Sequence, residues 1–139
     1  MDIEIKTTVT VTEERIEDLL CGALDAGYGG SNYWIGQWSS FMPSQLPKPE
    51  YSFYAPLCGG LLNIILVDDL EDLDDPEDEN AIENLTKYVI DANALKIGLE
   101  RMAKLYPDTH WYNFMADNDD AETADVFLQL CIFSELTYG

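Results

Sequence analysis

From Ala121 to Leu136 the chain reads as a helix that is apolar nearly all the way round: Ala124, Val126, Phe127, Leu128, Leu130, Cys131, Ile132 and Phe133 leave it almost no polar face. A helix of that kind has to be enclosed. It is either the central helix of a core or one covered by a partner subunit, as in a homodimer. The rest of the chain has to supply a cover. With 139 residues, 47% of them apolar, it is long enough to do so as a single domain spanning 1–139.

Two further helices are legible. Thr12 is placed to cap a helix whose first turn carries Glu13 and Glu14 and whose apolar face is Ile16, Leu19, Leu20, Ala23 and Leu24, with Gly27 as its stop. Asp91 is placed to cap Ala92–Leu105, with Leu95, Leu99, Met102 and Tyr106 on one face and Pro107 at the end. His110–Ala116 reads as a short aromatic helix. Asp117-Asn118-Asp119-Asp120 reads as a turn whose last residue caps the apolar helix. Ile3, Ile5, Thr7, Val9 and Val11 alternate at period two, which predicts a strand. Tyr33–Trp38, Tyr51–Tyr54, Leu61–Val67 and Leu85–Ile90 are the other strand candidates. Pro43, Pro47 and Pro49 enforce a loop, and Gly59-Gly60 a turn. The order predicts an α+β fold: an antiparallel sheet of about four or five strands with three or four helices packed on it.

Charge is the second constraint. Asp and Glu number 27 against 7 Lys and Arg, a formal net charge of -20. Ten of those acids, and no base, fall between Asp68 and Glu83. Blocks of like charge stay solvated, so 68–83 is expected as an exposed loop or short helix. Such a surface lacks the Lys and Arg that phosphate contacts need, which argues against direct nucleic-acid binding and against docking on anionic membranes. No apolar run approaches the ~20 residues of a membrane span. The acidic start Met1-Asp2-Ile3-Glu4 is unlike a secretory signal. Cys21, Cys58 and Cys131, odd in number and set among apolar residues, read as reduced thiols of a cytosolic protein.

Motifs for catalysis are missing. His110 is the one histidine and sits among Trp111, Tyr112 and Phe114, the setting of a packing residue; no G-x-S-x-G elbow accompanies a serine. One His and three scattered Cys make no zinc pattern. Gly27-Tyr28-Gly29-Gly30-Ser31 follows a helix rather than a strand and lacks the Lys-Ser/Thr of a phosphate loop. A calcium loop counted from Asp68 to Glu79 has Leu70 at a ligand position and Leu73 where glycine is needed. Tyr33, Trp34, Trp38, Tyr51, Phe53 and Tyr54 have no bases beside them and read as core or protein interface rather than a base-stacking platform. No enzyme activity, metal or cofactor is expected.

One resemblance adds to this. Asp120-Ala121-Glu122-Thr123-Ala124-Asp125-Val126-Phe127-Leu128-Gln129, followed by Phe133-Ser134-Glu135-Leu136-Thr137-Tyr138-Gly139, resembles the ending of small, mostly uncharacterised tailed-phage and prophage proteins. There a D-A-x-T-A-D-x-x-L-Q run leads into F-G-E-x-x-Y-G; Ser134 departs from it at the first Gly. Leu20–Ala26, the G-x-x-Y-W segment Gly30–Trp34, and Leu95–Met102 resemble pieces of the same group. The resemblance implies a phage-type protein and brings no activity with it.

Charge and resemblance together give an expectation. Duplex DNA carries one charge per ~1.7 Å, so twenty charges match about 34 Å of duplex, close to the ~37 Å diameter of a compact chain of this length. Such a surface can occupy the basic groove of a nucleic-acid-binding protein. The expected function is therefore an anti-defence inhibitor (an anti-CRISPR first, an anti-restriction protein second) in the host cytoplasm, with a host nucleic-acid-binding defence protein as partner. The expected contacts are Asp68, Asp69, Glu71, Asp72, Asp74, Asp75, Glu77, Asp78 and Glu79, helped by Asp117, Asp119 and Asp120. A phage structural or assembly module, and a small enzyme or small-molecule-binding protein, are the alternatives.

Overall fold

In a computed structural model, residues 1–25, 29–43 and 52–139 are described. The chain is α+β. In order it runs α1 (Glu13–Leu24), β1 (Ile35–Phe41), a kinked 3₁₀ segment (Ser52–Cys58), β2 (Leu61–Leu66), α2 (Val67–Glu71), α3 (Glu79–Glu83), β3 (Tyr88–Ile90), α4 (Ala92–Leu105), α5 (His110–Met115) and α6 (Ala121–Ile132).

The apolar helix is the centre of the core. Thr123 to Cys131 are all buried, and Leu128 and Leu130, on opposite sides of the helix, are both fully enclosed. The cover comes from within the chain: α4 and α1 flank α6, with further contacts from α5 and β3. The α4–α6 approach is close because Gly98 has no side chain; a Cβ there would lie 2.5 Å from Cys131 Sγ. The three predicted caps are formed. Thr12 Oγ1 accepts from Arg15 N at 3.3 Å, Asp91 from Ala94 N at 2.9 Å and Asp120 from Thr123 N at 3.0 Å. At the other end of α6, the Arg101 guanidinium donates to the carbonyls of Leu130 and Phe133, both at 2.9 Å, serving the last turn of a helix that has no basic residue of its own there.

The sheet is smaller than the sequence suggests. It has three antiparallel strands in the order β1-β2-β3, registered by Ile35↔Leu66 and Phe41↔Leu61 on one side and Leu62↔Ile90 on the other. Two expected strands are missing from it. Residues 1–11 form no helix or strand, and Ile3 and Ile5 are 75% and 79% exposed. Alternation marks a face but supplies no partner edge, and no described strand pairs with this arm. Phe53 and Tyr54 lie in the 3₁₀ segment, where Pro56 cannot donate to a ladder. Tyr51, Gly27, Tyr28, Pro47 and Pro49 fall outside the described residues. The remaining helices sit close to their predicted bounds, α6 ending at Ile132 rather than Leu136.

Candidate acidic interface and its buried support

The acidic segment begins where β2 ends. Val67 N donates to Trp34 O at 2.9 Å, which ties the start of α2 to the residue preceding β1. Leu70 lies over Gly36 so closely that a Cβ there would come within 2.4 Å of its Cδ1. Asp68 and Asp69 stand in the first turn of α2, the favourable end for acids. Asp75 accepts from Glu77 N at 2.9 Å, and Asp78 caps α3 by accepting from Asn80 N at 3.0 Å. Asp68 accepts from the Tyr138 hydroxyl at 3.3 Å. Glu71, Asp72, Asp74, Glu77 and Glu79 offer their carboxylates to solvent, and Asp69 is half-buried. Among the described residues, no Lys or Arg forms an ion pair with any acid from Asp68 to Glu83.

Asp117, Asp119 and Asp120 stand apart from that segment in their contacts. The Arg15 guanidinium binds Asp117 and lies 3.0 Å from Asp119, donates to Phe114 O, and stacks over the Phe114 ring at 4.4 Å. Asp117 holds a left-handed backbone (φ 59). The acids of this turn adjoin those of α1: burial first, then Glu14 and Asp119, push the Asp18 carboxyl above the usual range. Asp120 is turned to its cap, and the Thr123 N–H holds its pKa below the ordinary value. No hydrogen bond or ion pair among the described residues joins this group to 68–79.

A third constellation was not foreseen. Asp125 is 7% exposed, and no Lys or Arg among the described residues forms an ion pair with it. Its Oδ1 accepts from Ser31 Oγ at 2.7 Å and Trp34 Nε1 at 2.6 Å; its Oδ2 accepts from Tyr33 OH at 2.7 Å and Gln129 Nε2 at 3.2 Å. Both oxygens are thus satisfied by four donors, the condition under which a carboxylate can be buried. Gln129 continues the chain of bonds: its Oε1 accepts from Thr137 N and Tyr138 N, and its Nε2 donates to Tyr138 O. The Tyr138 ring then stacks on Trp34, centroids 5.6 Å apart and nearly parallel. Desolvation, reinforced by the carboxylate of Asp125, pushes the Tyr33 hydroxyl up to about 12.

The physical sense of the G-x-x-Y-W and D-A-x-T-A-D-x-x-L-Q strings follows. Ser31, Tyr33 and Trp34 of the first meet Asp125 and Gln129 of the second, and Tyr138 closes the set. Spacing within α6 could show only that Asp125 and Gln129 share a face. No family model, curated protein or solved structure matches the chain. The roles of these residues therefore rest on their geometry alone.

The aromatics divide between core and surface. Trp34, Phe53 and Tyr54 are buried, Trp38 is half-buried and Tyr33 is exposed at its edge. His110 packs edge-on against Tyr106, centroids 5.3 Å apart. The three cysteines are free, and burial drives the Cys131 thiol well above its ordinary pKa. Among the described residues, no group of His, Cys, Asp and Glu converges as a metal site, and no helix is long and apolar enough to cross a membrane. An open groove of about 810 Å³ lies between the N-terminal arm and α4, floored by Val9, Val11, Leu57, Leu95, Leu99 and Trp111.

Proposed function

We propose that the chain is an acidic inhibitor of the phage anti-defence type. It occupies the nucleic-acid-binding surface of a host defence protein through the segment 68–79. The observation that carries this reading is the absence of any described ion pair along a segment of nine acids, held at its base by Val67, Leu70 and Asp68. A segment that was merely solvated needs no such mooring. A segment that must meet a basic groove benefits from it, because a surface already positioned loses less entropy on docking. Glu71, Asp72, Asp74, Glu77 and Glu79 carry the contact in this reading. Asp75 and Asp78 shape the turn, and Asp117 and Asp119 extend the field around α1 despite their pairing with Arg15.

Charge complementarity of this kind acts mainly on association rate and is screened by salt. The test is capture from a host lysate on the tagged chain, followed by salt-step elution and mass spectrometry. The expected result is a nucleic-acid-binding protein or complex that releases as salt rises and that free duplex DNA displaces. Capture of virion proteins alone, or of nothing, would overturn occlusion in favour of the structural or small-molecule alternatives.

A further inference from the structure

The N-terminal arm is a strand without a sheet. Its odd residues Ile3, Ile5, Thr7, Val9 and Val11 are β-branched, its even residues Asp2, Glu4, Lys6, Thr8 and Thr10 are polar, and residues 1–10 are all exposed. That is a strong strand pattern. Its backbone hydrogen-bonding groups pair with no described strand, and its apolar face borders the open groove along α4. An unpaired edge beside an apolar groove is a template for β-addition.

We infer that the occupant is the arm of a second copy, paired antiparallel about a two-fold axis at Ile5. The charge pattern selects that register. With Ile5 opposite its own copy, Glu4 faces Lys6 of the other arm and Lys6 faces Glu4, two attractive cross-strand pairs generated by symmetry. Shifting the axis to Glu4 or Lys6 places like charges directly opposite. In the Ile5 register the second arm's Ile3 lies opposite Thr7 and its Met1 opposite Val9, and Thr7 and Val9 are groove residues. The apolar face of the added strand therefore turns toward Leu95 and Leu99, while the charged pairs face water. The arm is also a suitable place for a molecule of net charge -20 to meet itself, since residues 1–12 carry only two acids and one base. Dimerisation through the arm leaves α6 where the fold has it, enclosed by its own chain.

Sedimentation equilibrium of the full chain at ~0.15 M salt tests this. Wild type is expected to dimerise. Lys6→Glu turns both attractive pairs repulsive and is expected to weaken the dimer about tenfold. The charge swap Glu4→Lys with Lys6→Glu is expected to restore it. These positions are exposed, so the variants should keep the fold, read as unchanged circular dichroism at concentrations where every variant is monomeric. A second readout is covalent: oxidised Ile5→Cys should form a disulfide-linked dimer, and Val9→Cys, which lies opposite Met1 rather than its own copy in this register, should not. A wild type that stays monomeric, a Lys6→Glu dimer as strong as wild type, or no rescue by the swap would each overturn the proposal. None of these outcomes bears on occlusion by 68–79, which is read by capture and DNA competition.

Discussion

Asp125 is the residue on which the most distant parts of the chain converge. Replacing it with Ala leaves the Ser31 hydroxyl, the Trp34 indole N–H and the Tyr33 hydroxyl without their acceptor, while the Gln129 amide keeps Tyr138 O. Buried donors stripped of a partner cost about 1–3 kcal/mol each, so urea denaturation of Asp125→Ala is expected to show a loss of about 3–5 kcal/mol. Tyr33 gives a pH signature. Its folded pKa, about 12, lies above the ordinary tyrosine value of about 10, so the stability it contributes is intact below pH ~10 and is lost as pH rises through ~12. Native spectrophotometric titration is expected to show a late-ionising tyrosine that Tyr33→Phe removes. Of this residue chemistry, the sequence exposes the caps, because Thr12, Asp91 and Asp120 act on backbone three positions away. It conceals the Asp125 set, whose partners Ser31, Tyr33 and Trp34 lie more than ninety positions distant.

At the scale of elements, burial rather than intrinsic propensity decides what forms. The helices α1, α4 and α6 are legible because their apolar faces repeat at helical spacing and each starts at a capping side chain. The strands are less so. Leu61–Leu66 is found because it is apolar except at Asn63, whereas the cleaner alternation of residues 3–11 yields no described strand. A helix closes its own hydrogen bonds, while a strand depends on another segment that its own sequence does not specify. The α4–α6 contact is a sensitive joint. Gly98→Ala would drive a methyl group into Cys131, and a cost of about 1–3 kcal/mol is expected in chemical denaturation. The acidic segment is the opposite case. Converting Glu71, Asp72, Asp74, Glu77 and Glu79 to their amides removes no described hydrogen bond and relieves like-charge repulsion, so this variant is expected to melt at or above the wild-type temperature.

For the whole molecule, the balance of 27 acids to 7 bases is the dominant fact, and the structure employs several of the bases internally. Arg15 fastens the 117–119 turn to α1, Arg101 holds the end of α6, and Lys87 donates to the Glu83 carbonyl at 2.9 Å. Self-repulsion at net charge -20 is screened by salt, so the melting temperature is expected to rise as NaCl goes from about 0.02 to 0.5 M. That salt trend is opposite in sign to the one expected for partner binding, which weakens over the same range. The most direct measurement of occlusion compares wild type with the five-amide variant of Glu71, Asp72, Asp74, Glu77 and Glu79 for binding to the captured nucleic-acid-binding protein, with duplex DNA as competitor. Wild type should bind and be displaced by DNA, and the folded variant should bind at least about tenfold more weakly. Equal binding by the variant, or indifference to DNA, would contradict occlusion by this segment.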